Sequence, residues 1–84
     1  MPTIAVVNGV RLVLYPRDHE PPHVHAFYGE HEVLIDIMTG STLHGTLPKA
    51  KLRAVGQWLD ANRDRVAYMW RQTRAGPSSG SDKP

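Results

Sequence analysis

Hydrophobic and polar positions alternate with a period of two through the first part of the chain, which is the pattern of half-buried strands. Residues 4–15 are mainly β-branched and aliphatic, with an interruption at Asn8-Gly9. This dipeptide favours a two-residue hairpin turn, because both of its positions accept positive φ. We therefore predict a first hairpin, in which the register places Thr3 opposite Leu14.

A second hairpin is predicted over residues 23–38, with its turn at Gly29-Glu30 or at Glu30-His31. The two registers differ by two positions, so they keep the same residues on each face of the sheet. The turn at Gly29-Glu30 places His23 opposite Asp36. The turn at Glu30-His31 places His25 opposite Asp36.

The two faces of this hairpin differ in character. The apolar face is the predicted core face and carries Val24, Ala26, Tyr28, Val33, Ile35 and Ile37. The other face carries His23, His25, Phe27, Glu32 and Asp36. We expect this second face to remain accessible and to carry any chemistry.

One further strand is predicted over residues 42–47, after a three-residue turn at residues 39–41 that contains a glycine. In this register Leu43 lies on the core face, and His44 lies beside Asp36. From Pro48 the hydrophobic period changes to that of an amphipathic helix, with a break at residues 60–62 and a Gly-Pro stop after residue 75.

The predicted fold class is therefore α+β. An antiparallel sheet of about five strands, made of two hairpins and one further strand, is followed by one or two C-terminal helices packed on one face. Residues 1–75 form a single domain in this interpretation, and residues 76–84 form a disordered polar tail.

Composition narrows the class of protein. The chain has 84 residues, of which 40% are hydrophobic and 21% charged, as in a globular domain, and no run is long enough to span a membrane. We expect a cytoplasmic protein without a membrane partner. The sequence has no cysteine, so a metal ion would have to be held by imidazole and carboxylate groups.

Candidate chemistry is concentrated at residues 18–25, which hold three of the five histidines, two carboxylates and a proline pair. Imidazole and carboxylate groups together suit a divalent ion such as zinc or manganese. The candidate metal ligands are His23, His25, Asp36, His44, Asp18 and His19. The candidate catalytic residues are His23, His25 and Asp36.

Three interpretations of these residues stay open. They form a metal site, or they perform metal-free acid and base chemistry such as RNA cleavage, or they make cross-strand hydrogen bonds on a polar or partner-binding face. Exposed sheet edges also make a homodimer a possible assembly.

Charge is distributed unevenly along the chain. Residues 1–47 contain two basic and five acidic residues, whereas residues 48–75 contain seven basic and two acidic residues. The basic half suits RNA, DNA or an acidic protein, or is a solvated helix face, and it lacks a helix-turn-helix signature. Candidate contacts to nucleic acid or a partner are Arg11, Arg17, Phe27, Lys49, Lys51 and Arg53.

The run Asp18-His19-Glu20-Pro21-Pro22-His23-Val24-His25, with the later Leu47-Pro48 and the helical segment 51–59, resembles a family of small bacterial domains of unknown function. Its members share a DH-x-PPH-x-H signature. The resemblance implies a gene beside that of a second small uncharacterised domain, as in a toxin–antitoxin-like pair. It therefore implies a protein that binds the neighbouring gene's product. The alternatives are an RNA hydrolase that uses the His23 and His25 face, and a nucleic-acid-binding regulator that uses the basic helices.

Overall fold

The computed structural model describes residues 3–16 and 18–75. An antiparallel sheet of five strands, in sequence order, is followed by one helix, so the predicted α+β class is confirmed. The elements are β1 (Thr3–Val7), β2 (Val10–Val13), β3 (His23–Tyr28), β4 (His31–Asp36), β5 (Thr42–Gly45) and α1 (Lys49–Ala75). The predicted tail, residues 76–84, lies outside the described residues.

The first hairpin has the predicted turn, since Asn8 and Gly9 adopt φ values of 49° and 82°. Its far end differs from the prediction because an irregularity in β1 shifts the register. Thr3 consequently pairs with Val13, and the predicted pairing with Leu14 was wrong. An irregularity of this kind changes the pairing by one residue and leaves no mark on the alternation of hydrophobic positions.

The second hairpin turns at Gly29-Glu30, with Gly29 at a φ of 58°. This is one of the two predicted registers, and it places His23 opposite Asp36. The predicted faces follow from it, because Val24, Ala26, Val33 and Ile35 are fully buried and Tyr28 is partly buried against the core.

The connection after β4 is longer than predicted. The Asp36 carboxylate accepts hydrogen bonds from the backbone N–H groups of Met38 and Thr39, at 2.8 and 3.0 Å. The Asp36 N–H in turn donates to the Ser41 carbonyl at 2.8 Å. Residues 37–40 therefore form the turn, in place of the predicted three-residue turn at 39–41.

This longer turn changes the register of β5. Thr42 pairs with Ile35 and His44 with Leu34, so Leu43 falls at an irregularity and is 43% exposed. The prediction that Leu43 lies on the core face was wrong. The prediction that His44 lies beside Asp36 was also wrong, for the same reason.

Helix α1 covers the apolar face of the sheet and closes the hydrophobic core. It is continuous but kinked at Asn62, whose φ and ψ are −121° and 18°. The Asn62 side chain donates to the Trp58 carbonyl at 2.8 Å, one turn earlier, a type of contact that competes with regular helical geometry. The kink lets both halves of the helix bury apolar residues, among them Val55 and Val66.

In the part of the chain that the structure describes, no helix has both the length and the apolar character needed to cross a membrane.

Gly45 is a test of the sheet geometry, because it has a φ of +80° and a Cβ there would collide with the Glu32 carbonyl oxygen. We expect Gly45→Ala to lower the free energy of unfolding by about 3 kcal/mol or more, from backbone strain and overpacking together. Gly29→Ala is the matched control, with positive φ and no neighbour within 4 Å, and should cost about 1 kcal/mol. The free energies of unfolding are measured by urea denaturation. Equal losses of stability in the two variants would contradict the close approach of the Glu32 carbonyl to Gly45.

Candidate metal centre

Two elements bring the chemistry of residues 18–25 together. His23 and His25 lie two apart on β3 and so project to the same side of that strand. Asp18 lies in the preceding loop, which contains a cis peptide bond between Glu20 and Pro21. The loop folds back so that the Asp18 carboxylate lies against both imidazole rings.

One carboxylate oxygen is shared between the two rings. The Asp18 Oδ2 atom lies 2.9 Å from His23 Nε2 and 3.0 Å from His25 Nε2. The exposed fractions of the three side chains are 19% for Asp18, 6% for His23 and 14% for His25. The cluster is thus shielded from bulk water but retains access to it.

The second nitrogen of each ring faces another acceptor. His23 Nδ1 lies 2.7 Å from the Pro21 carbonyl oxygen, and His25 Nδ1 lies 3.1 Å from Glu32 Oε2. A carbonyl or an ionised carboxylate only accepts hydrogen bonds, so both Nδ1 atoms carry a proton and donate it. In a neutral ring the lone pair is then on Nε2, the atom that faces Asp18.

Three electron-pair donors therefore converge on one point, since Asp18 Oδ2 and the two Nε2 atoms lie within 4.8 Å of one another. Such a group requires a cation, which is either a proton on each Nε2 or a metal ion. Ligand atoms about 2.1 Å from an ion lie about 3.0 Å apart at a right angle and about 3.4 Å apart at the tetrahedral angle. The two Nε2–Oδ2 distances, 2.9 and 3.0 Å, fit both the right-angled arrangement around an ion and hydrogen bonds from protonated rings.

The residues around the cluster also fit a metal. Metal-binding histidines commonly donate the other ring N–H to a backbone carbonyl or a carboxylate, which fixes the tautomer and the ring orientation. The Pro21 carbonyl and the Glu32 carboxylate occupy these two positions. The set of two imidazoles and one carboxylate is a known ligand set for zinc and for non-haem iron.

The electrostatics of Asp18 reflect two opposing effects. Burial by itself raises the pKa of this carboxyl. The hydrogen bonds from His25 and His23 and the positive charge of these rings outweigh burial, so the pKa is lowered from its ordinary value of 3.8. The site therefore favours the ionised carboxylate, the form that binds a metal.

Aromatic side chains hold the rings in place. The Tyr15 ring meets His25 edge-on, at 4.6 Å between centroids and 86° between planes. Trp70, from the second half of α1, lies 5.2 Å from the His23 ring, and Phe27 lies nearly parallel to His25 at 6.3 Å. These contacts restrict rotation of both imidazoles.

The predicted metal ligands divide into two groups. Asp18, His23 and His25 come together as described. Asp36 instead directs its carboxylate to the turn after β4, and His44 lies on the far side of Leu34 from the cluster. The His19 side chain is 91% exposed, with its Nδ1 atom 3.5 Å from the other Asp18 oxygen.

The predicted contact residues also divide. Arg11 lies over the Phe27 ring, with 5.0 Å from its guanidinium carbon to the ring centroid, next to the cluster. Lys51 donates to the Asn8 carbonyl at 2.8 Å and lies over the Tyr28 ring. Lys49 and Arg53 are exposed on α1, whereas Arg17 lies outside the described residues.

Two features of the site did not emerge from the sequence. The packing of Trp70 against His23 depends on how the kinked helix meets the sheet, for which the sequence offers no signal. Tyr15, in contrast, comes two residues after Val13, which pairs with His25. Extending the period-two pattern by one step would have placed Tyr15 on the histidine face.

A family model described as Domain of unknown function (DUF4160) matches residues 9–71. The matched region contains the whole cluster, and it confirms the resemblance to a small domain-of-unknown-function family. No curated protein and no solved structure matches the chain.

Asp18→Asn tests the electrostatic description in chelator-treated protein. Because folding lowers the pKa of Asp18, its ionised form stabilises the fold fully above pH 3.8, and this stabilisation is lost as the pH falls through the lower folded value. Between about pH 5 and about pH 2 the free energy of unfolding should fall less steeply in the variant than in the wild type. Asp64→Asn, at an exposed helix position, should keep the wild-type slope. Identical slopes for all three proteins would contradict the interpretation.

Proposed function

Because the chain belongs to the family described as Domain of unknown function (DUF4160), its activity has to be inferred from its site, and we propose a hydrolase that depends on a divalent metal ion. Asp18, His23 and His25 would hold the ion, with zinc or manganese as the expected occupant. One observation carries the proposal. Each imidazole donates its Nδ1 proton to a fixed acceptor while its Nε2 faces the same carboxylate oxygen.

The number of ligands favours catalysis over a structural role. Structural zinc sites are closed by four protein ligands, whereas catalytic sites have three and leave a position for water or substrate. Among the described residues, the group that could hold an ion here has three members. A three-ligand site with partial access to solvent suits chemistry on a bound molecule.

The protein's own residues would have distinct roles. Asp18 supplies the negative charge, and the acceptors at Pro21 and Glu32 keep both Nε2 lone pairs directed inward. A divalent ion held by these residues would polarise the bond to be cleaved and would lower the pKa of water towards neutrality. Hydrolysis then adds water across that bond, so one product gains the hydroxyl group and the leaving group gains the proton.

Hydrolysis is favoured over oxygen chemistry by the exposure of the site. The same ligand set serves non-haem iron oxygenases, whose reactive intermediates must be kept from water. Asp18 and His25 retain 19% and 14% exposure, which gives water access to the cluster.

Calorimetric metal titration tests the site directly. Wild-type protein should bind one equivalent of zinc or manganese, and His25→Gln should lose this binding because a ligand is removed. Glu32→Gln should weaken it about 10- to 100-fold, since Glu32 only orients His25. His19→Gln is the matched control, because this neighbouring histidine is 91% exposed, and should bind like the wild type.

The chemistry is tested on the same proteins with chromogenic phosphodiester and carboxylic esters. Hydrolysis should require the metal, persist in His19→Gln and disappear in His25→Gln. Metal binding without cleavage of either ester would overturn the hydrolase and leave a metal-binding protein. Tight binding of ferrous iron alone, in an anaerobic titration, would point to oxygen chemistry instead.

The second candidate function is binding of the neighbouring gene's protein in a two-gene module, in the cytoplasm of a bacterium. It is favoured by β5, an edge strand whose four residues are all exposed and which presents Leu43 at 43% exposure. Edge strands with free backbone groups are sites for addition of a strand from another chain.

Co-purification with the adjacent gene's product tests this candidate. Leu43→Asp should abolish the complex, whereas Val6→Asp, on the opposite edge strand β1, should leave it intact. A second copy of this chain could instead pair with β5 and form a homodimer. Measurement of the mass in solution distinguishes the homodimer from the complex with the adjacent gene's product. Equal loss in both variants would argue against a specific edge contact.

The third alternative, a regulator that binds nucleic acid through the basic helix, has less support. Lys51 and Arg63 make contacts within the chain, to the carbonyls of Asn8 and Ile37. This leaves fewer of the helical cations directed at an external phosphate backbone.

A further inference from the structure

We propose that the substrate of the metal site is a single-stranded nucleic acid, bound by Phe27 and Arg11 beside the cluster. The inference rests on the proposed metal site and adds the class of molecule that it acts on. It is carried by the arrangement of one cation and one aromatic ring on the sheet face opposite the helix.

That face carries two adjacent rows of side chains. The pairings across β1 to β4 put Val6, Arg11, Phe27 and Glu32 in one row. The neighbouring row contains His25, two residues from Phe27 along β3, at a spacing of about 7 Å. Arg11 and Phe27 are therefore one step from the metal ligand His25, and the Arg11 side chain is exposed to solvent.

The three side chains form a layered stack. The Arg11 guanidinium lies 5.0 Å from the centroid of Phe27, and the Phe27 ring lies 11° from parallel to His25. Among the described residues, no carboxylate forms an ion pair with Arg11. Its fork of N–H donors is thus available to a phosphate, for which guanidinium geometry is well suited.

Nucleic acid fits this combination of groups. A cation beside a divalent ion suits a phosphodiester backbone, with one phosphate at the metal and another at Arg11. The partly exposed Phe27 ring and the guanidinium plane of the exposed Arg11 that lies over it offer a stacking surface for a base, and a base can stack there only when it is unpaired. The ligand is therefore a single strand rather than a duplex.

The only carboxylate in the same row is engaged elsewhere. Glu32 accepts from His25 Nδ1 at 3.1 Å, so its charge faces an imidazole N–H. At the cluster a divalent ion would balance the charges of Asp18 and Glu32, so Arg11 gives this part of the face a positive charge that attracts an anionic chain.

Fluorescence anisotropy with zinc-loaded protein tests the proposal. The probes are labelled oligouridine RNA and oligothymidine DNA strands of about 12 nucleotides, and duplexes of the same length. Wild-type protein should bind the single strands at least about tenfold more tightly than the duplexes. Equal binding of the single-stranded RNA and the single-stranded DNA would show that stacking and phosphate contacts account for the affinity. Tighter binding of the RNA would identify RNA as the ligand.

Four variants separate the contributions. Phe27→Leu should weaken single-strand binding about tenfold, and Phe27→Tyr, which keeps the ring, should not. Arg11→Gln should weaken binding and reduce the salt dependence by about one phosphate contact. Lys49→Gln, which removes an exposed cation on α1, should have no effect. Binding is measured at saturating zinc, and all four variants should retain the circular dichroism of the wild type.

The outcomes distinguish the two proposals. If the wild-type protein does not bind zinc, the metal site is overturned, and this inference is overturned with it. Normal zinc binding with no single-strand binding at low salt would overturn the inference alone. Equal weakening by Arg11→Gln and Lys49→Gln would indicate non-specific attraction and also overturn it.

Discussion

The structure of the site depends on the approach of two imidazoles to one carboxylate oxygen. Such an approach is unfavourable between lone pairs, so it requires a cation at the centre and fixed protons on the outer nitrogens. The outer acceptors come from different parts of the chain. The Pro21 carbonyl belongs to the loop before β3, and Glu32 reaches His25 diagonally from the neighbouring strand. The cluster therefore forms only when the β3–β4 register and the loop are both in place.

A small domain can hold this polar group because its hydrogen bonds are complete. His23 is the one buried polar side chain in the described core, at 5% exposure, and both of its ring nitrogens have partners. Burial of a polar group without partners costs about 1–3 kcal/mol in proteins, a sizeable part of the stability of a domain of this size. In the described part of the chain, no buried side-chain nitrogen or oxygen lacks a hydrogen bond.

Local signals in the sequence predict much of this arrangement. Asn8-Gly9 determines the first turn, and period-two alternation places His23 and His25 on the same side of β3. The errors arose where a side chain or a backbone irregularity altered the pairing. The Asp36 carboxylate caps its own turn, which lengthens that turn and moves Leu43 and His44. The ring protons and the helix contact at the site were beyond prediction, because they depend on three-dimensional packing that no local pattern encodes.

The contact between Trp70 and His23 gives the kinked helix a role beyond closing the core. The second half of α1 packs against a metal ligand, so ordering of the ligand and docking of that half of the helix are thermodynamically linked. An ion that binds only the ordered cluster would also reduce fraying at the end of the helix. Hydrogen exchange in the last turns of α1 would then report on occupancy of a site located on the sheet.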